Sequence, residues 1–234
     1  MIRLLAAAIT VLVVAAAGLV TVGLAFGNAA LLLPKLPPSS GMDRFLLLVW
    51  PVACLVEVGF AGARRRWPSA KASSVRVLLR IAAAWLLGGG LLWGSVHLRG
   101  QVDWVLLGLW CMGAASVWEV LPRHDAQRSV ATSLAIALVA TGTLMVVGGW
   151  LKGGLTSLPL ALSVGLLGWR LPDAWQRGVV VGCGAAAAVG LLSLGHFFGR
   201  VSVLQGAVVA LSLVTVTLLL ASRSRAASDE VAQL

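Results

Sequence analysis

The sequence predicts an all-α membrane protein, a polytopic bundle of about eight transmembrane helices with both chain ends in the cytoplasm. Three observations carry this prediction. The chain is 59% hydrophobic and only 11% charged, with a mean hydropathy of +0.97, whereas soluble domains are about 45–50% apolar and about 25% charged. Its apolar residues fall in long runs separated by short polar segments, and the density of basic residues alternates between successive segments.

Run length, rather than amphipathic periodicity, marks the predicted spans, because a helix needs roughly 20 apolar residues to cross a bilayer. Eight spans in 234 residues leave no stretch long enough for a separate soluble domain. The predicted spans cover residues 4–26, 45–63, 77–98, 104–121, 130–151, 155–169, 178–198 and 201–221, which form one domain, and a polar cytoplasmic tail follows at 222–234.

The first apolar run follows Arg3 and is longer than the apolar core of about 7–15 residues in a signal peptide. It therefore predicts a membrane helix, with cleavage near residues 28–30 left as an alternative. Three prolines, Pro34, Pro37 and Pro38, end any helix in the loop that follows.

The sixth run, 155–169, is the shortest, and a turn at Lys152-Gly153-Gly154 is predicted to precede it. This run decides between seven and eight spans. Without it the last third of the chain would reverse its orientation and lose the alternation of basic residues.

Orientation follows from counting Lys and Arg, which are enriched on the cytoplasmic side. With the N-terminus inside, 13 of the 18 basic residues lie in inner segments and 5 in outer ones. The outer residues are Lys35, Arg44, Arg99, Lys152 and Arg200. The net charge of +10 is therefore explained by topology, and no nucleic-acid partner is predicted.

Glu57 is the one acidic residue well inside a predicted span, seven residues before Arg64 and so about 10 Å from the inner helix end. A carboxylate inside a membrane is costly unless it is paired or protonated, which makes it a functional-site hypothesis. The neighbours three and four positions away are Ala53, Cys54, Phe60 and Ala61, so a partner is expected from another helix or from water.

Arg80, one turn into the third span on the same side, is the best candidate partner for Glu57. Two interpretations stay open. Either Glu57 and Arg80 form a structural ion pair within the membrane, or Glu57 titrates as the coupling residue of a proton- or cation-driven transporter.

Three weaker candidates are Glu119, His97 and His196. Glu119 precedes Arg123 by four residues, a spacing that favours an interfacial salt bridge. His97 and His196 share the predicted outer side and could together hold a metal or haem, although interfacial hydrogen bonding is the favoured interpretation. No catalytic, cofactor or metal site is predicted.

Small residues recur on the seventh span at Gly182, Gly184, Ala186 and Gly190. Such residues let membrane helices approach closely. The alternative is an unwound stretch lining a substrate site, as in transporters with broken helices. Close packing is the favoured interpretation.

The sequence contains no HExxH, no GxSxG and no phosphate-binding glycine loop. The cysteines Cys54, Cys111 and Cys183 all fall in apolar runs and are expected to be free thiols. An enzyme is therefore not favoured. A small transporter or permease-like protein is the first hypothesis, and a non-catalytic membrane subunit or scaffold is the alternative.

The expected partner is the lipid bilayer, with anionic headgroups near the basic segment from Arg64 to Arg80. A membrane-protein partner or a second copy of the chain is a further expectation. The expected location is the cell membrane, a bacterial inner membrane.

Overall fold

A computed structural model describes residues 1–28, 31–66, 70–92 and 127–198, together with 104–105, 112, 201–202, 204–209, 211–212 and 215. Within these residues the structure is all-helical, with seven α-helices and no strand. They are α1 (Ile2–Ala25), α2 (Gly41–Arg44), α3 (Trp50–Arg66), α4 (Ala70–Leu92), α5 (Gln127–Val147), α6 (Leu151–Arg170) and α7 (Ala174–Phe197).

Six helical spans are long and apolar enough to cross a membrane, because α2 and α3 join into one continuous helix, Gly41–Arg66. The six spans are compatible with a multi-pass membrane protein. They correspond to the first, second, third, fifth, sixth and seventh predicted spans. The fourth and eighth, 104–121 and 201–221, lie largely outside the described residues, so the count of eight stays a prediction.

The second span begins at Gly41, four residues before the predicted start, because its first turn is capped. The Ser40 side chain accepts a hydrogen bond from the backbone N–H of Asp43, and the Asp43 carboxylate accepts one from the backbone N–H of Ser40. This reciprocal arrangement satisfies two N–H groups that a helix start leaves without partners. A wider π-helical turn, Phe45–Val49, then leads into α3, near Pro51, which has no N–H to donate.

The turn predicted at Lys152-Gly153-Gly154 is wrong. The chain turns at residues 148–150, where Gly149 has a φ of +81°. Gly153 and Gly154 lie inside α6 instead, and a Cβ on Gly154 would overlap the side chain of Val146 in α5. These glycines allow close helix packing, so α6 extends over 20 residues and is not the short, uncertain span that was predicted.

Three other predicted boundaries also shift. The third span starts at Ala70 rather than at 77, and the seventh starts at Ala174 rather than at 178. The fifth ends at Val147 rather than at 151. The third and seventh spans are longer because polar residues that hydropathy assigns to loops continue as helical turns, in which the backbone satisfies its own hydrogen bonds. The fifth span is shorter because the chain turns at residues 148–150.

The central helix is α7, because 89% of the residues in its most apolar stretch are buried within the protein, compared with 28% for α1. It packs against α1, α3, α5 and α6. It is helical throughout, and a Cβ on Gly184 or Gly190 would overlap Val164 or Phe45 respectively. The packing interpretation of these glycines is therefore confirmed.

Contacts at the helix ends show that successive spans alternate in direction. At one end Gln176 donates to the carbonyl oxygen of Arg3 (3.3 Å), and Trp169 donates to Thr132 (2.8 Å). At the other end Lys152 lies 3.0 Å from a carboxylate oxygen of Asp43. The first end carries the Arg64–Arg66 run, as the predicted topology requires, while its cytoplasmic location stays a prediction.

Candidate functional site

Glu57 lies on the buried stripe of α3, in the middle of the span. The buried residues of this helix recur at helical spacing: Trp50, Ala53, Cys54, Glu57, Val58 and Ala61. One face of α3 therefore points into the bundle and carries the carboxylate with it. The side chain of Glu57 is fully buried, with no exposed surface.

Two arginines hold the carboxylate, one at each oxygen. Nη2 of Arg80, on α4, lies 2.5 Å from Oε2, and Nη2 of Arg64, on α3 itself, lies 2.5 Å from Oε1. The Arg80 side chain is fully buried and that of Arg64 is 10% exposed. We call Glu57, Arg64 and Arg80 the Glu57 cluster.

The contact with Arg80 is the one expected from the similar depths of Glu57 and Arg80 in their predicted spans. The expectation that α3 itself offers no partner is wrong. That expectation considered only positions three and four residues away. Arg64 lies seven residues away, two turns along the same face, and its long side chain folds back to the carboxylate. The i to i+7 spacing of Glu57 and Arg64 was the available signal.

Phe60 completes the surroundings of Arg80. The guanidinium carbon lies 4.4 Å from the centroid of the Phe60 ring, within the range of a cation–π interaction. Arg76, one turn before Arg80 on α4, is also buried. The facing surfaces of α3 and α4 therefore gather several cations at the basic end of the bundle.

On its other side the Glu57 carboxylate meets the backbone of α7. A Cβ added to Gly182 would overlap the carboxyl carbon of Glu57. Two turns earlier on α3, the indole N–H of Trp50 donates to the carbonyl oxygen of Cys183, the residue after Gly182, at 3.0 Å. Glu57 thus lies where α3, α4 and α7 meet, in a site that is closely packed.

A second polar network lies at the opposite end of the bundle and was not predicted. Asp43 is 1% exposed and accepts hydrogen bonds from Ser40, from the backbone N–H of Lys35 (3.3 Å) and from Lys152 (3.0 Å). It joins the proline-rich loop to the start of α6. The pattern Ser40-x-x-Asp43 could have indicated the capping part of this network.

Among the weaker candidates, only His196 lies within the described residues. Its Nδ1 is 3.4 Å from the carbonyl oxygen of Val201, and its ring packs edge-on against Phe197. His97 and Glu119 lie outside the described residues, so a pairing of the two histidines stays a prediction. Within the described part of the chain, no group of three or more His, Cys, Asp or Glu side chains could hold a metal ion.

The two described cysteines, Cys54 and Cys183, are free and buried, while Cys111 lies outside the described residues. No protein-family profile, curated protein or solved structure matches the chain.

Proposed function

We propose that the protein is a non-catalytic multi-pass membrane subunit or scaffold, in which the Glu57 cluster is a structural junction of three helices. One observation carries the proposal. The only carboxylate well inside a predicted span has no exposed surface, and an arginine holds each of its two oxygens.

A carboxylate that couples transport must exchange protons or cations with water. Within the described residues an arginine holds each oxygen of Glu57, its side chain has no exposed surface, and Gly182 packs against its remaining side. A buried pair of this kind is strongly destabilising to break but adds little net stability over apolar packing. Its best-supported use is to specify which helix faces meet, and this matches a structural role.

The proposal is tested by Glu57→Gln in the full chain, reconstituted into phospholipid vesicles that enclose a pH-sensitive dye. We expect proton flux equal to that of the unmodified protein in a proton gradient, together with a lower melting temperature in detergent. Asp173→Asn is the matched control, because it makes the same carboxylate-to-amide change at the exposed start of α7.

A small transporter is the second candidate, and the exposure of Arg64 supports it. The Arg64 side chain is 10% exposed, while those of Glu57 and Arg80 are fully buried. Withdrawal of Arg64 toward the basic end would leave one carboxylate oxygen facing water. Proton flux that is present in the unmodified protein and lost in Glu57→Gln, with folding intact, would establish this candidate and reject the structural one.

We further propose that the basic end faces the cytoplasm, in the cell membrane, and that the exposed apolar faces contact lipid, another membrane protein or a second copy of the chain. Ile2, Val13 and Leu24 of α1 are 86%, 60% and 62% exposed, which supports an apolar environment along this helix. The excess of arginine at the basic end supports its cytoplasmic placement.

A further inference from the structure

An apolar groove runs between α3 and α4 at the basic end of the bundle. Its volume is about 390 Å³, and its walls include Val56, Gly59 and Phe60 on α3 and Val75, Arg76 and Leu79 on α4. We call it the α3–α4 groove. Among the residues that the structure describes, Arg76 is the only charged side chain that lines it.

The groove opens on a surface that is apolar and exposed. Val75 and Leu79 are 56% and 55% exposed, and Leu55 on the neighbouring face of α3 is 52% exposed. In a spanning protein such a surface faces the hydrocarbon of the bilayer. The groove is therefore open to lipid chains.

Gly59 creates part of this space. A Cβ added at this position would meet nothing within 4 Å, so the glycine is not required by close helix packing. The wall beside it is Phe60, whose ring lies against Arg80 of the Glu57 cluster. An apolar occupant of the groove would cover the outer side of this ring.

Charge distinguishes the two ends of the groove. Arg76 lines it, and the exposed residues Arg65 and Arg66 follow at the end of α3, where the span reaches the headgroup layer. A cation beside an apolar channel complements a molecule with an apolar chain and an anionic head. Each basic side chain near a membrane surface favours anionic lipid by about five-fold in affinity.

We propose that the α3–α4 groove is a binding site for one anionic phospholipid. An acyl chain lies along Gly59, Val75 and Leu79, and the phosphate lies at Arg76. No covalent step is involved. The site is independent of whether Glu57 is structural or couples transport, because Glu57 does not line the groove.

The test is native mass spectrometry of the full chain, delipidated in detergent and titrated separately with phosphatidylglycerol and with phosphatidylcholine. We expect phosphatidylglycerol to bind at least about five-fold more tightly, the effect of one cation. We expect Gly59→Leu, which fills the groove, to weaken that binding by about ten-fold, equivalent to losing the burial of about two methylene groups.

Gly90→Leu is the matched control, because Gly90 on α4 is exposed and a Cβ there also meets nothing within 4 Å. It should bind phosphatidylglycerol as the unmodified chain does. Arg76→Gln should remove the preference for the anionic lipid while retaining binding of phosphatidylcholine.

Four results would overturn the proposal. Equal affinity for the two lipids would show that the site does not select an anionic headgroup. Unchanged binding in Gly59→Leu would show that the lipid binds outside the α3–α4 groove. Competition by inorganic phosphate as effective as that by phosphatidylglycerol would assign Arg76 to a free anion. A dimer that Gly59→Leu dissociates and phosphatidylglycerol does not would assign the groove to a partner helix.

Discussion

Glu57 and Arg80 lie on different helices, and Nη2 of Arg80 is 2.5 Å from Oε2 of Glu57, with both side chains fully buried. The contact joins α3 to α4. Arg64 holds the other oxygen from within α3, and Gly182 of α7 packs against the carboxylate.

The losses of stability on removing Glu57 and on removing Arg80 should not be additive. Glu57→Leu and Arg80→Leu should each lower stability by about 3–5 kcal/mol, because each removes one member of a buried ion pair. The double variant should cost less than the sum by about 2 kcal/mol. Melting temperatures of the four proteins in detergent measure this coupling, and additive losses would show that the two side chains act separately.

Arg64→Ala should be milder than Arg80→Ala. Arg64 is 10% exposed and lies near the end of α3, whereas Arg80 is fully buried and also contacts Phe60. Loss of Arg64 leaves the deeper ion pair in place, since Arg80 still neutralises the carboxylate. The same melting experiment ranks the two variants. A larger effect for Arg64→Ala would contradict the conclusion that Arg80 is the deeper and more important partner of Glu57.

Gly182→Ala should destabilise the protein by about 1–3 kcal/mol through overpacking, because the added Cβ would overlap the Glu57 carboxyl group. Gly59→Ala is the matched control on α3, where a Cβ meets open space. It should be neutral or slightly stabilising. Equal melting temperatures for the two variants would argue against a close approach of α7 to Glu57.

Asp43→Asn should lower stability by about 1–2 kcal/mol, since it weakens the helix cap at Ser40 and the ion pair with Lys152. Lys152→Met removes the ion pair and a 3.4 Å hydrogen bond to the Leu33 carbonyl oxygen but keeps the cap, and it should cost less. If both variants melted alike, the cap would contribute nothing beyond the ion pair. Limited proteolysis of the proline-rich loop gives a second measurement, with faster cleavage expected in Asp43→Asn.

The predicted orientation is tested with single cysteines and a membrane-impermeant maleimide. Arg65→Cys should label only after the membrane is permeabilised, because it is exposed at the basic end. Leu36 lies in the loop at the other end and is 82% exposed, so Leu36→Cys should label in intact cells. The unmodified chain supplies the background from its own cysteines. The reverse pattern would invert the topology.

Composition and apolar run length were enough to predict an all-helical chain and the locations of the six described helical spans that are long and apolar enough to cross a membrane. They also singled out Glu57 and its depth-matched neighbour Arg80. This succeeded because the bilayer imposes a length on every crossing helix and a penalty on every buried charge, and both constraints act on the local sequence.

Tertiary structure alone decided the details of packing and pairing. Hydropathy could not distinguish a glycine that turns the chain, such as Gly149, from one that admits a neighbouring helix, such as Gly154, because both lack a side chain. Nor could it show that Arg64 folds back on Glu57, or that Gly182 closes the site. Those contacts depend on which helix faces meet, and this is set by the fit of side chains across the whole bundle.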